Sequence, residues 1–522
     1  MAISKKHYTP IHVDEIASRI AKVYEKIRKI IDWKDDNALR RSAIERILKR
    51  IIFPNLAGLT TKKAAVDELS ETITVELIRG GHLPNDTIPM ERLSDVANIL
   101  KKYLVFLKSA DKYDFFAVKQ KINYTNFILE IAACEIEEVL TNPVKEYGII
   151  NTMSSLLYER INFIPKDHLK EDDIRKYILI ATIKTLYDLD DKFITYILLK
   201  QKYVNWNSAS DEELEKISKE LPNVWSEIGE DLKRPYLRKF IRIAENVDTV
   251  FLLVDDILSK YKDDPGKIKE NFEDHKKLEK LLTKSYESRY KTLKTRLFRL
   301  AIFSTLSVFL SNWVTFFIVE VPLANIFAEG FSFRAAVIDF VLPTAVMFFL
   351  VIIIRLPKKN NINKVIDLAF SFIYQDEEKR LYQIRFENKR PSMIKIIMTS
   401  LYFEIIIFTF IGIAYAFYIA NLPISSVVFD TFTISLTVFA AVAIKNKSRE
   451  LSVDEDTSVG SFLLDMLSVP VAKVGSVFAR KWKEYNIVAI LFNFLIETPF
   501  AVILNIIQGW SDFISERKQE LH

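Results

Sequence analysis

Four apolar stretches between Leu300 and Ile444 constrain this chain more than anything else in it. A membrane-crossing helix needs about 20 mostly apolar residues, because ~30 Å of hydrocarbon is crossed at ~1.5 Å per residue. Segments 300–322, 335–354, 396–420 and 427–444 meet that requirement and lack the charged face that a soluble surface helix keeps. The expected fold class is therefore all-α: an N-terminal cytoplasmic helical domain followed by a polytopic α-helical membrane domain of four spans. A further apolar run, 487–507, is interrupted by Asn493, Glu497, Thr498 and Pro499. It reads as a re-entrant hairpin or a fifth span.

Lysine and arginine in the flanks give these spans a direction. Lys284, Arg289, Lys291, Lys294, Arg296 and Arg299 precede the first, and Lys445, Lys447 and Arg449 follow the fourth. Basic residues also outnumber acidic ones in 355–395, while the connections 321–334 and 421–426 hold only Arg334 between them. The expectation is an inner (plasma) membrane protein with a cytoplasmic N-terminus, its basic flanks meeting anionic lipid headgroups. Scarce glycine with abundant lysine, isoleucine, phenylalanine and asparagine suggests a prokaryotic coding bias.

The long segment ahead of the spans balances its basic and acidic side chains over residues 1–280. That neutrality argues against a nucleic-acid partner, since phosphate-backbone binding needs a basic surface. A single cysteine, Cys134, rules out an intrachain disulfide, and its apolar surroundings mark it as a buried side chain. The N-terminus carries no apolar signal core, which leaves the first span as the targeting element.

Residues 1–265 read as consecutive amphipathic helices, with apolar positions recurring at three and four and prolines between them. Expected helices are 11–31, 37–52, 61–79, 91–108, 115–140, 144–161, 172–200, 211–220, one through Ile243, and 248–261. Pro265-Gly266 marks a domain boundary. Beyond it one unbroken helix is expected from Lys267 into the first span, with residues 266–299 as a stalk. Ile268, Phe272, His275, Leu278, Leu282, Tyr286, Tyr290, Leu293, Leu297 and Leu300 form a stripe on that helix. It either pairs with a second copy of the chain or lies on the chain's own N-terminal domain. In 355–395, Ile362, Val365, Ile366, Ala369, Phe370 and Ile373 form the apolar face of an interfacial helix. A polar linker and membrane-associated C-terminal helices complete residues 445–522.

Acidic residues in or near the spans are the sharpest chemical feature: Glu320, Asp339, Glu404 and Asp430. Three fall near the outer surface, where headgroups and water solvate them. Glu404 stands about eight residues inside the cytoplasmic edge, ~12 Å deep, and is the candidate proton or cation site. Hydroxyls of spans one and four, such as Ser304, Thr305, Thr431, Ser435 and Thr437, either line a polar path or bond within and between helices.

Asp188, Asp190, Asp191, Asp255 and Asp256 form two acidic clusters without the spacing of a diphosphate-magnesium motif. No HExxH, Walker A, GxSxG or Glu-x-x-His sequence occurs. The sequence thus designates no catalytic, cofactor-binding or metal-ligating residue. The expected role is a membrane-anchored scaffold that presents a helical cytoplasmic domain to a protein partner. The alternatives are a small-ion or small-solute transport component using Glu404, and a membrane-bound enzyme acting on lipid.

Overall fold

The computed structural model describes residues 11, 36–54, 62–80, 82–112, 118–164, 169–187, 189–317, 321–322, 333–354, 356–357, 360–374, 381–386, 393–419, 424–453, 466, 468–477 and 510. The expected helix 11–31, residue Glu320, residue Asp188 and the run 487–507 lie outside them. The chain divides into two compact units. Unit one comprises Met1–Glu159, Leu169–Ile241 and Asn493–His522, and unit two Arg160–His168 and Arg242–Phe492.

Unit one is built from α1 (Asp36–Ile52), α2 (Lys63–Arg79), α3 (Glu91–Lys112), α4 (Val118–Thr141), α5 (Val144–Tyr158), α6 (Glu171–Tyr187), α7 (Asp191–Lys202) and α8 (Asp211–Asp231). Helix α4 packs against α1, α3 and α7, and α3 also packs against α8. The sequence pattern merges α6 and α7 into one helix, because apolar periodicity runs on both sides of Asp190. The structure breaks there: the Asp190 side chain accepts a hydrogen bond from the Phe193 N–H at 3.1 Å and caps the new helix. Helix α8 starts on a capping box formed by Ser210 and Glu213, which satisfies two otherwise unpaired N–H groups. Cys134 is buried on α4, and burial pushes its thiol well above the ordinary range.

Polar groups inside unit one are paired across long stretches of sequence. Glu135 of α4, only 3% exposed, accepts from Lys102 Nζ (2.6 Å), Tyr103 Oη (2.7 Å) and Trp206 Nε1 (2.9 Å). Glu137 meets Arg40 and Arg41, while Glu138 accepts from Tyr147, Tyr196 and Lys200. A carboxylate buried this deeply is tolerated only when paired and hydrogen-bonded.

Unit two holds α10 (Asp248–Lys260), α11 (Pro265–Glu273), α12 (His275–Thr315), α13 (Phe333–Ile353), α14 (Asn361–Ile373), α15 (Met393–Ile419), α16 (Ile424–Ser448) and the helical residues 468–477, here α17; α9 (Leu237–Glu245) precedes them. The helix expected to run unbroken from Lys267 is two helices. Asp274 takes an extended conformation between α11 and α12, and its carboxylate accepts from the N–H groups of Lys276 and Lys277. Of the stripe, Leu278, Leu282, Tyr286, Leu293 and Leu297 are buried, on a helix that packs on α10 and α14, while His275 is exposed. Of the stripe read from sequence as a membrane-surface face, helix α14 buries Val365, Ile366 and Ala369, together with Leu368 and Phe372 outside that stripe, while Ile362, Phe370 and Ile373 are half-buried.

All-α character holds with one small addition, a parallel pair of four-residue strands, β1 (Ile161–Ile164) and β2 (Tyr382–Arg385). The expected helix 144–161 therefore ends at Tyr158. Arg160, next to β1, is buried over the Phe372 ring at 3.8 Å and donates to the Ser371 hydroxyl (3.3 Å) and carbonyl. This fork binds the end of α14 to the strand pair.

The apolar helices of unit two bury little of their surface. Among the described residues one helix, Ile396–Ile419 within α15, is long and apolar enough to cross a membrane, and its most apolar window has no buried residue. Helix α15 packs on α16, and α16 on α12 and α13. Phe417, Ile434, Val438, Val471 and Ala472 form a small buried cluster that brings α17 onto α16.

Candidate functional site

The residues that converge on one place in unit two lie on α10, on the polar face of α12 and in the turn 449–453. Ser285, Arg289 and Arg296 follow one another at helical spacing along α12, beside the leucine stripe, and Leu293 of that stripe lines the same place. The Arg289 guanidinium grips Asp256 of α10 with two parallel bonds, Nε to Oδ2 at 2.6 Å and Nη2 to Oδ1 at 2.7 Å. It also donates to the Leu252 carbonyl at 3.2 Å, and Ser285 Oγ donates to Asp256 Oδ2 at 2.6 Å. Fork-on-fork pairing of this kind fixes direction as well as distance. Two turns on, Arg296 pairs with Glu450.

Glu450 is held in place by its neighbours. Leu451 and Val453 are buried, and Asn361 at the start of α14 pins the turn between them. Its Nδ2 donates to the Leu451 carbonyl (2.6 Å) and the Tyr286 hydroxyl (3.0 Å), and its Oδ1 accepts from the Val453 N–H (3.2 Å). From α10, the Thr249 hydroxyl donates to the Glu450 carbonyl at 3.1 Å. Asp248 beside it is buried, and desolvation pushes its carboxyl well above the ordinary range; Glu245 and Glu450 add to this, while hydrogen bonds from Thr249 oppose it.

These contacts leave an open cleft of ≈ 510 Å³ on unit two. Lys260, Lys284, Arg289 and Arg296 line it against Asp256 and Glu450, so four cations face two carboxylates and two positive charges remain. Lys260 and Lys284 are exposed and have no carboxylate partner among the described residues. A preorganised cluster of net positive charge can hold an anion. Among the described residues no three His, Cys, Asp or Glu side chains are placed to hold a metal ion.

Of the four acidic residues singled out in or near the spans, Glu404 has a described side chain. Glu404 is exposed on α15 and accepts one hydrogen bond, from Ser400 a turn earlier at 3.3 Å. Asp339 falls on α13 and Asp430 on α16, with side chains outside the described residues, as is Glu320 entirely. The aspartate clusters have local duties: Asp190 caps α7, Asp191 pairs with Lys184 at 2.7 Å, and Asp256 binds Arg289. Hydroxyls of α16 turn back on their own helix. Thr431, Ser435 and Thr437 donate to the carbonyls of Val427, Thr431 and Thr433. Thr305 of α12 does the same to Ala301. This satisfies them without a polar path.

Sequence reasoning used Arg289 and Arg296 only as orientation signals and passed over Glu450. The signal available was their spacing of seven, which puts both on one helix face; their partners on α10 and in the turn are 33 and 154 residues away. No protein-family model, curated protein or solved structure matches the chain.

Proposed function

We propose that this chain is an integral membrane protein that anchors a helical cytoplasmic scaffold. In this reading α12 beyond Leu300, α13, α15 and α16 cross the bilayer, and unit one faces the cytoplasm to receive a protein partner. The observation that carries it is α15. Ile396, Phe403, Ile407, Phe408, Ile411, Tyr415 and Tyr418 stand exposed along one continuous helix. An apolar surface of that length in water would be an aggregation hazard, whereas in hydrocarbon it costs nothing. The asymmetry of lysine and arginine supports the direction, with basic flanks inside.

Single-cysteine labelling in a Cys134→Ser background tests the reading. Asn325→Cys is expected to react with an impermeant maleimide only from outside the cell, and Lys447→Cys only after the membrane is opened. Reaction of both from the same side removes the polytopic arrangement. Loss of the protein from the membrane fraction removes the anchor itself.

A further inference from the structure

We propose that the cleft on unit two binds a phosphate-bearing anion, and that the phosphate of an anionic phospholipid headgroup is its natural occupant. The phosphate chemistry follows from the cleft alone, whereas the lipid source rests on the membrane reading above.

Three features point to phosphate. First, the two guanidiniums arrive already oriented, Arg289 by Asp256 and Arg296 by Glu450. Each carboxylate engages part of a five-donor fork, which leaves further N–H groups for a second acceptor. Second, Lys260 and Lys284 contribute charges that no carboxylate of the described chain neutralises. Third, the hydroxyl of Ser288 lines the same cleft and can donate to a phosphate oxygen. The volume of ≈ 510 Å³ lies in the range of small-molecule sites.

The position along α12 points to lipid. Arg296 is four residues, ~6 Å of helical rise, ahead of Leu300, where the apolar segment begins. That distance matches the thickness of the headgroup layer, about 5–8 Å on each side of the hydrocarbon. Beyond Arg296, on the side of the helix that carries the cleft, Phe303, Leu306 and Leu310 are exposed. Polar donors above and an unpartnered apolar face below on one helix match the two ends of a phospholipid.

The test uses the purified full chain in neutral detergent. Retention of phosphatidylglycerol against phosphatidylcholine is read by native mass spectrometry, and binding of inorganic phosphate and pyrophosphate by thermal shift. Lys260→Gln/Lys284→Gln removes the two unpaired charges without touching the Arg289 or Arg296 pairs. Lys291→Gln/Lys294→Gln removes two exposed charges of the same helix outside the cleft. The expected result is preferential retention of phosphatidylglycerol, reduced on the order of tenfold or more by the first double variant and unchanged by the second. If the soluble phosphates bind with the same dependence on Lys260 and Lys284 and no lipid preference appears, the phosphate site stands and its occupant is a soluble phosphoryl compound. No anion binding by either probe, or equal loss in both double variants, overturns the proposal. The labelling experiment above does not depend on these outcomes, so the failure of one reading is visible apart from the other.

Discussion

Helices α4 and α15 are close in length, 24 and 27 residues, and both are rich in isoleucine. Their surroundings are opposite. Helix α4 is the inner helix of unit one, and it carries Glu135, Glu137 and Glu138 inside the protein, each tied to remote cations or hydroxyls. Helix α15 carries a single acid, Glu404, and turns its isoleucines and phenylalanines outward. In unit one, burial excludes water from polar groups, which must then find partners. In α15 the apolar side chains are left uncovered, and the backbone satisfies itself within the helix, which suits hydrocarbon. The two helices therefore serve opposite solvents: α4 carries six charged side chains that need partners, and α15 only Lys395 and Glu404.

The comparison breaks most sharply at Glu135. Replacing it by alanine leaves the Lys102 ammonium buried without its counter-ion, strips Trp206 of its acceptor and leaves the Tyr103 hydroxyl only the Ile131 carbonyl at 3.3 Å. Loss of one partner of a buried pair costs roughly 3–5 kcal/mol. A fall in the urea midpoint of unit one of that size is expected, with circular dichroism as the readout. The double variant Lys102→Met/Glu135→Leu removes both charges and should recover part of the loss. It cannot recover all, because the orphaned Trp206 N–H still costs about 1–3 kcal/mol. A Glu135→Ala variant as stable as the parent would show that α4 does not depend on its buried pairs.

A smaller effect is expected at the α16–α17 contact of unit two, where a small residue lets two helices approach. A Cβ on Gly475 of α17 would stand inside the contact distance of the Ser435 carbonyl and at 3.0 Å from Phe439 Cβ. Both obstacles belong to α16, and the nearer one is backbone that cannot rotate away. Gly475→Ala should therefore lower the thermal midpoint in detergent by an overpacking cost of about 1–3 kcal/mol. Gly412→Ala is the control, since a Cβ there meets nothing within 4 Å. Equal behaviour of the two variants would remove close backbone approach as the reason for the α16–α17 contact.

What could be read from the sequence follows the range of the interaction. Helix positions were legible because apolar periodicity is local, and α3, α10, α13 and α16 fall close to their expected limits. The break at Asp190 was not, because a capping carboxylate acts three residues ahead while the apolar rhythm continues past it. The strand pair was invisible for a different reason. INFI and YQIR are too short to show alternation, and they meet across more than 200 residues. The partners of Glu135 were out of local range, since Lys102 and Trp206 lie 33 and 71 residues away. The cleft suffered the same way: its arginines were plain in the sequence, and Asp256 and Glu450, which aim them, were not assigned to them.

The mildest test concerns pH, where the two units should slope in opposite directions. In unit one Asp231 is desolvated, but hydrogen bonds from Lys176 and Tyr177, with the charges of Lys176 and Arg234, outweigh burial and hold its carboxyl below the ordinary range. Below that range both states bind the proton, so the stability it contributes is present above the ordinary aspartate value and is lost as pH falls through the lowered one. In unit two the Asp248 carboxyl is held well above the ordinary range by burial. Between the ordinary value and the raised one the folded state keeps a proton that the unfolded state has released. Stability then falls as pH rises through that window. Asp248→Asn keeps an acceptor for the Thr249 hydroxyl, now at 3.3 Å, and abolishes the titration. The variant should gain a few degrees in Tm over the parent at pH 8. The gain should shrink as pH is lowered toward the ordinary aspartate range. A gain that does not change with pH would mean that the substitution acts through packing. A loss that deepens as pH rises would mean that the folded state prefers the ionised carboxylate, and the contrast between the two aspartates would disappear.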